Sequence, residues 1–422
     1  MVSIALTQAA AAHPAAAASA SAPRFSIEAA RVGAVLELEN ERLALMPAVA
    51  AWKWQRHEPV LDSARERSVI GAAARLGAPL GFSTAPLERL FALQVRLARD
   101  EELRLEGRWR TAGYDFHGRI PNLATEVRPR LDRLTRDLLG GLYLAAPAFS
   151  RPGFAGRYAP AVARALTARG WSAASRCELL ADLGALRLSA LPGSKRIEAS
   201  GVLRIGTTGD YAPFSAQSHG RLAGVDITLA LALARRLGAE PVFVRTSWPT
   251  LLADLRSDDF DVAIGGISST PARAAAVDES IPYLSGGKTI LTRCGDAHRF
   301  DSLAAVDRPG VRVIVNPGGT NERYDRTHLH RAAIVVDRSN ETVFDWLLAG
   351  RADVMITDEV EAAWQARRHP GLCRSLPGTL TRAEKVILMP RDPALAGAVN
   401  DWLRGEIAAG EPARLLRAAL AR

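Results

Sequence analysis

Near residue 191 the chain changes rhythm, and that change constrains its fold more than any other feature. Before it, IEAARVGAVLELENERLALMPAVAAWKWQ, APLERLFALQVRLARDEELRLEGRW and LATEVRPRLDRLTRDLLGGLYLA carry apolar residues three and four apart, the period of amphipathic helices. Pro47 is expected to interrupt the first of these, and SAASRCELLADLGALRL reads as one more helix. Runs rich in Val, Ile and Thr are scarce here, so strands are not expected. After it, VLRIGTT, PVFVRT, DVAIGGIS, KTILTRC, VRVIVN, AAIVV, DVMIT and KVILMP alternate with helical stretches such as DITLALALARRLG and NETVFDWLLAG. That alternation implies an α/β domain with mainly parallel sheets and helices on both faces. Between the halves LPGSKRIEASG reads as a linker, with Pro, Gly and Ser dividing two periodic regions.

A chain of 422 residues is too long for one ordinary core, in keeping with two or three domains. The 48% apolar and 23% charged composition excludes a disordered or collagen-like chain. The net charge of +9 comes from 54 basic residues, of which the lysines are Lys53, Lys195, Lys288 and Lys385. Arg is spread among Asp and Glu rather than clustered, which argues against a nucleic-acid partner and suits small anionic substrates. No apolar run approaches the roughly 18 residues of a spanning helix, so membrane insertion is not expected. Residues 1–24 are Ala-rich and end in an A-S-A pattern without a basic start, either a partial signal peptide or a plain tail. No C-x-x-C pair supports a zinc site, and no metal is expected. Cys294 and Cys373 share the later region and can form a disulfide if the chain is exported, leaving Cys177 as an odd, buried thiol.

In the helical half Arg42 and Lys53 stand eleven residues apart, close to three helical turns, so both can project from one side of a helix around a small dianion. Arg65, in DSAR, opens the next helical stretch, and Glu102 lies on a later one. Any one of these alone is more often a solvated charge. The strings ERLALMPAVAAWKW, PVLDSAR and LFALQVRLARDEE together resemble the exported, all-helical chorismate mutases over residues 25–190. By that resemblance Arg42, Lys53 and Arg65 bind the substrate's carboxylates and hydroxyl, and Glu102 faces the breaking ether bond. Members of that family often carry Thr or Ser where this chain has Ala98, and Arg136 is the candidate for a further arginine. The rearrangement needs no nucleophile or metal, only a held conformer and cations where the ether oxygen gains charge.

In the second half, GVLRIGTTGDYAPFS, GVDITLALALARRLG and TSWPTLLADLRSDDFDVAIGGISSTPAR follow the order of periplasmic amino-acid-binding proteins. In those two-lobed proteins the residue matching Arg273 forks onto the ligand's carboxylate, and the one matching Asp358 holds its amine. GDYAPFS, TSWPTLL, GGKTILTRCGD, RPGVRVIVNPGGTNER, ITDEVEA and HPGLC resemble, in order, the cyclohexadienyl dehydratases built on the same fold. Asp358 and Glu361, three apart, fit a helix capping box. By the dehydratase resemblance Glu361 is instead the general acid that lets a ring hydroxyl leave as water, its pKa raised by burial and by Asp358. The same resemblance makes Arg273 and Lys288 carboxylate ligands, Thr320 and Asn321 polar clamps, Trp248 a wall for the ring, and Asp210 part of the cleft. NPGGTNE reads as a strand-to-helix turn whose free N–H groups suit an anion. Lys195 and Lys385 read as solvated.

The expected architecture is therefore a multidomain chain: an all-α mutase domain at 25–190, a linker at 191–200, and a periplasmic-binding type II α/β domain of two lobes at 201–422. The expected function is bifunctional: chorismate to prephenate, then prephenate to phenylpyruvate or arogenate to phenylalanine, without a cofactor. The competing reading is a transporter's solute-binding protein fused to a mutase. Location is expected to be periplasmic, because both families are typically exported, and self-association is left open.

Overall fold

The computed structural model describes residues 23–421 except Phe25, Asp115, Ser189 and Ala190. Most of the N-terminal tail, including its signal-like pattern, lies outside the described residues. The helical half comprises α1 (Glu28–Ala44), α2 (Met46–Arg56), α3 (Ser63–Gly77), α4 (Thr84–Ala112), α5 (Arg128–Phe149), α6 (Phe154–Ala165) and α7 (Ala173–Ala185). Pro47 stands in the first turn of α2, where a missing N–H costs no helical bond, and the chain breaks at Leu45. Arg42 and Lys53 therefore sit on two successive helices and not along one, as their spacing alone suggested. α4 carries a buried stripe of Leu87, Leu90, Gln94, Leu97, Glu101 and Leu105, the three-and-four period of a helix packed on one side. Val35 and Leu36 of α1, Phe91 of α4 and Leu138 and Leu142 of α5 complete the centre of this core.

Residues 193–200, which carry the Gly and Ser of the expected linker, form α8 (Gly193–Ser200) and lead directly into β1 (Val202–Thr207). The side chain of Arg196 in α8 is buried and donates to Asp258 Oδ1 at 2.6 Å. At the seam between the halves, Arg204 of β1 is fully buried, pairs with Asp261 at 2.6 Å, and lies 4.8 Å over the ring of Tyr143 from α5. The Ser26 N–H also donates to Phe243 O at 2.7 Å, so the helical half is seated on the α/β half.

The remaining strands are β2 (Asp210–Tyr211), β3 (Ser215–Ser218), β4 (Arg221–Ala223), β5 (Glu240–Arg245), β6 (Val262–Ala263), β7 (Asp278–Glu279), β8 (Leu284–Gly286), β9 (Lys288–Arg293), β10 (Arg312–Val315), β11 (Ala333–Val336), β12 (Val354–Asp358), β13 (Leu372–Arg374), β14 (Ala383–Lys385) and β15 (Leu388–Met389). The first lobe holds a sheet ordered β5-β1-β6-β15-β7, and the second a sheet ordered β11-β10-β12-β9-β13. In the first lobe β1, β5 and β6 pair in parallel and the returning β15 pairs antiparallel; in the second, β10, β11 and β12 pair in parallel and the entering strand β9 pairs antiparallel with β12. The chain crosses between lobes twice, along β8 and β14, which pair with each other as a two-stranded ribbon. Cleft residues lie at the ends of the strands flanking this crossing, where open α/β sheets place their ligands.

Cys294 and Cys373 form a disulfide with an S–S distance of 2.05 Å, tying β13 to the segment after β9. Cys177 is exposed rather than buried, because α7 turns Leu179, Leu180 and Leu183 inward instead. No described helix is long and apolar enough to cross a membrane.

Candidate active sites

The first site lies within the helical half, where α1 to α4 and the start of α5 enclose a cavity of about 180 Å³. Arg42, Lys53, Arg65 and Glu102 all line it. Arg42, in the last turn of α1, donates from Nε to Gln94 Oε1 at 2.5 Å and from Nη1 to Thr135 Oγ1 at 2.6 Å. Gln94 in turn donates to Oε1 of the buried Glu39 at 2.8 Å. Burial pushes the Glu39 carboxyl up to about 7, against the pull of Arg42. Lys53 Nζ lies 2.8 Å from Glu102 Oε2 and 3.3 Å from Val60 O. Burial raises the Glu102 pKa above the usual carboxylate value, with the Lys53 ammonium opposing. Arg65 is exposed at the rim, and the carboxylate of Asp62 accepts from its backbone N–H.

Arg136 is not part of this site: it is exposed and absent from the cavity lining, which holds Arg128 instead. The lining residues Arg128, Leu131, Asp132 and Thr135 share one face of α5, and Arg136 falls about 40° beyond the Asp132 edge of that face, on the solvent side. Ala98 lines the cavity without a hydroxyl, and Thr135 brings one from the facing helix. Glu39, Gln94 and Arg128 were missed. Each sits where a helical stripe reads as core or surface, and only the three-dimensional enclosure reveals them.

The second site is the cleft between the lobes, which narrows to a cavity of about 30 Å³. That is about the volume of one water molecule, so a ring-sized substrate enters only when the lobes part about β8 and β14. Trp248, Arg273, Thr320, Asn321 and Asp358 line the cavity together with Tyr211, Asn316 and Asn340. The lobes approach closely enough that a Cβ on Gly318, at φ +83°, would lie 2.5 Å from the Pro249 nitrogen. Only glycine suits that place in the NPGGTNER turn.

Asp358 is the electrostatic centre of the cleft. Lys288 Nζ reaches its Oδ1 at 3.1 Å, while Lys385 Nζ and the Tyr211 hydroxyl each donate to its Oδ2 at 2.5 Å. Burial alone would raise this carboxyl, but the Lys385 and Lys288 ammonium groups hold it well below the usual range. Lys385 is thus no solvated charge: β14 turns it into the cleft, buried, with Gly266 O at 2.8 Å. The helix Glu359–Arg368 has Asp358 at its N-cap position without a capping hydrogen bond, so no capping box forms. Lys288 also donates to Thr320 Oγ1 at 3.1 Å and to Asn321 Oδ1 at 2.5 Å. Arg273 Nη1 donates to Ser268 O at 2.5 Å, and burial lowers its pKa to about 10. Asp210 sits at the edge, accepting from Trp248 Nε1 at 3.2 Å, while its carbonyl accepts from Asn340 at 2.9 Å.

Glu361 is 1% exposed and lies just behind this wall, with Oε1 accepting from Asn340 Nδ2 at 3.4 Å. The Thr357 hydroxyl donates to its Oε2. Burial pushes the Glu361 carboxyl up to about 8; Thr357 opposes that shift, and Asp358 and Asp210 reinforce it. The arrangement is a neutral acid beside a strongly cationic cleft, able to receive carboxylates and to release one proton. Among the described residues no group of His, Cys, Asp and Glu forms a metal site.

The profile of the bacterial extracellular solute-binding proteins, family 3, matches residues 203–419, and that of the type II chorismate mutases matches residues 33–103. A cyclohexadienyl dehydratase of Pseudomonas aeruginosa is 48% identical over 210 residues, spanning 49% of this chain and 78% of that protein. An L-cystine-binding protein of Escherichia coli is 28% identical over 208 residues, spanning 49% of this chain and 77% of that protein. Among solved structures, an ancestral amino acid-binding protein described as a precursor of cyclohexadienyl dehydratase is similar at TM-score 0.51 and 33% identity, covering 54% of this chain and 99% of its own.

Proposed function

We propose, from the premise that this chain belongs to family 3 of the bacterial extracellular solute-binding proteins, that it is a bifunctional enzyme of aromatic amino-acid synthesis. Its helical half is a chorismate mutase, and its α/β half dehydrates and decarboxylates the prephenate so formed. The observation that carries the second activity is Glu361: a buried carboxyl with a pKa of about 8, one hydrogen bond from a cleft holding Arg273, Lys288 and Lys385.

In the mutase half, Arg42, Arg65 and Arg128 engage the two carboxylates of chorismate and hold its diaxial conformer. Lys53 donates to the ether oxygen as it gains negative charge, and Glu102, its carboxyl raised by burial, faces the same bond. In the α/β half Arg273 and Lys288 take the carboxylates of prephenate, Thr320 and Asn321 clamp its polar edge, and Trp248 walls the ring. Glu361 delivers its proton to the ring hydroxyl as the C–O bond breaks. The electrons of the ring carbon–carboxylate bond close the aromatic ring as CO₂ departs, and water leaves with the delivered proton. Glu361 regains a proton from solvent once the lobes open. The Cys294–Cys373 disulfide fits an oxidising compartment, which supports an exported, periplasmic enzyme.

Two assays on the intact chain test the reading: loss of chorismate, and appearance of phenylpyruvate from prephenate. Glu361→Gln should abolish the second and spare the first; Lys53→Ala should do the reverse. Undiminished phenylpyruvate formation by the Glu361→Gln protein would remove the dehydratase assignment.

A further inference from the structure

Glu361 is held by a chain of groups whose hydrogen bonds run in one direction. Lys288 is the origin, since an ammonium group only donates. Its contact with Asn321 Oδ1 fixes the amide, because the reversed amide would set NH₂ against NH₃⁺. Asn321 Nδ2 must then face Thr357, to whose hydroxyl oxygen it donates at 3.0 Å. The hydroxyl has one proton, and with its oxygen accepting from Asn321 it donates that proton to Glu361 Oε2. Thr357 is the penultimate residue of β12, next to Asp358, and is fully buried. It meets Glu361 across the start of the helix Glu359–Arg368, where a capping box would have sent the Glu361 carboxyl back to the backbone.

We propose that Thr357 is a positioning residue: it donates to Glu361 Oε2 at much closer range than Asn340 Nδ2 reaches Oε1, at 3.4 Å, and so biases the acid's transferable proton to Oε1, the oxygen on the Asn340 side of the cleft. The proposal rests on the reading of Glu361 as general acid. A carboxylic acid free to place its proton on either oxygen would spend part of its population with that proton turned into the protein. The one-way chain lowers that population, and it ties the acid's orientation to Lys288, whose other donors hold Thr320 and Asp358 at the cleft wall. Thr357 touches no substrate; it acts through Glu361 alone. A merely structural buried threonine would leave the pH dependence of turnover unchanged on replacement.

The test is the pH profile of prephenate dehydration for the wild-type chain, Thr357→Ser and Thr357→Val. Donation to the ionised carboxylate favours that form, so its loss moves the alkaline limb of kcat to higher pH. In the valine protein kcat near pH 7 should fall on the order of 10- to 100-fold with KM within about threefold, the loss expected for misplacing a proton donor. The serine protein, which keeps the hydroxyl, should stay within about twofold of wild type with an unmoved limb. Wild-type kcat and limb in the valine protein overturn the proposal, as does a serine protein impaired like the valine one. The serine result decides the matter if the valine protein does not fold. Failure of the premise reads differently: Glu361→Gln would then retain dehydration, whereas an inactive Glu361→Gln beside a wild-type-like Thr357→Val sinks only the positioning role.

Discussion

The ammonium nitrogen of Lys385 lies 2.5 Å from Oδ2 of Asp358, a carboxylate whose other oxygen is 3.1 Å from Lys288. In the binding proteins that the cleft resembles, the acid at this place holds the ligand's amine. Here two lysines already satisfy it, and a substrate ammonium would meet two like charges. The chain should therefore bind free amino acids such as L-arginine no more tightly than about 1 mM. It should prefer prephenate, with two carboxylates and no amine, over arogenate by at least about tenfold in kcat/KM, roughly 1.4 kcal/mol. Calorimetry and paired turnover assays check both. Micromolar binding of an amino acid without any dehydration would return the α/β half to the binding proteins.

Lys53 is the cation closest to a buried acid in the helical cavity, at 2.8 Å from Glu102. Its proposed task, meeting charge that appears only in the transition state, is one whose loss falls on turnover. Lys53→Ala should lower mutase kcat/KM by at least about 10³-fold, the scale of removing a preorganised donor. Helical circular dichroism and dehydratase turnover should be unchanged, because that lysine lies wholly within the helical half. Near wild-type mutase activity would show that chorismate reacts elsewhere.

Residues that stand close in sequence were legible, and those that converge through the fold were not. Asp358 and Glu361 share one strand-to-helix turn, and Thr320 and Asn321 another, so their strings announced them. The α/β character followed from the alternation of β-like runs with helices, and its division into two lobes from the resemblance to periplasmic amino-acid-binding proteins. Lys385 gave no such signal: it precedes an apolar run, and only the β8–β14 crossing turns it inward against Asp358. Arg136 came from the mutase resemblance, which expects a further arginine on the later helix, and the structure lines the cavity with Arg128 instead. The exposure of Cys177 is not legible either, because a lone thiol on an amphipathic helix carries no information about which face it shares.

The acid role of Glu361 fixes the sign of the pH dependence. Burial raises its pKa from 4.5 to about 8, so the carboxyl is protonated through neutral pH and ionises above that value. Only the protonated form donates, so dehydratase kcat should be level below about pH 7 and fall about tenfold per unit well above pH 8. Timed phenylpyruvate assays between pH 6 and 9.5 measure this. A profile still flat at pH 9.5 would mean that the leaving hydroxyl takes its proton from another group.

Asp325 offers a test of the fold rather than of the chemistry. Its side chain is fully buried in the helix Thr320–His328, and neither carboxylate oxygen has a hydrogen-bond partner. Burial lifts its pKa from 3.8 to about 8, with Lys288 opposing. A folded-state pKa above the unfolded one means the folded protein binds the extra proton, so stability is greatest at acid pH and is lost as pH rises toward the folded value. Between pH 6 and 8 that loss amounts to about 2–3 kcal/mol for this one group. Asp325→Asn cannot ionise and should lack this part of the slope. Urea unfolding of the α/β half should therefore show the variant gaining on wild type by about that amount from pH 6 to 8. Glu361 and Asp226, also raised by burial, act equally in both proteins and cancel from the difference. Parallel stability curves would mean that the Asp325 carboxyl is already ionised in the fold and that Lys288 has the greater hold on it.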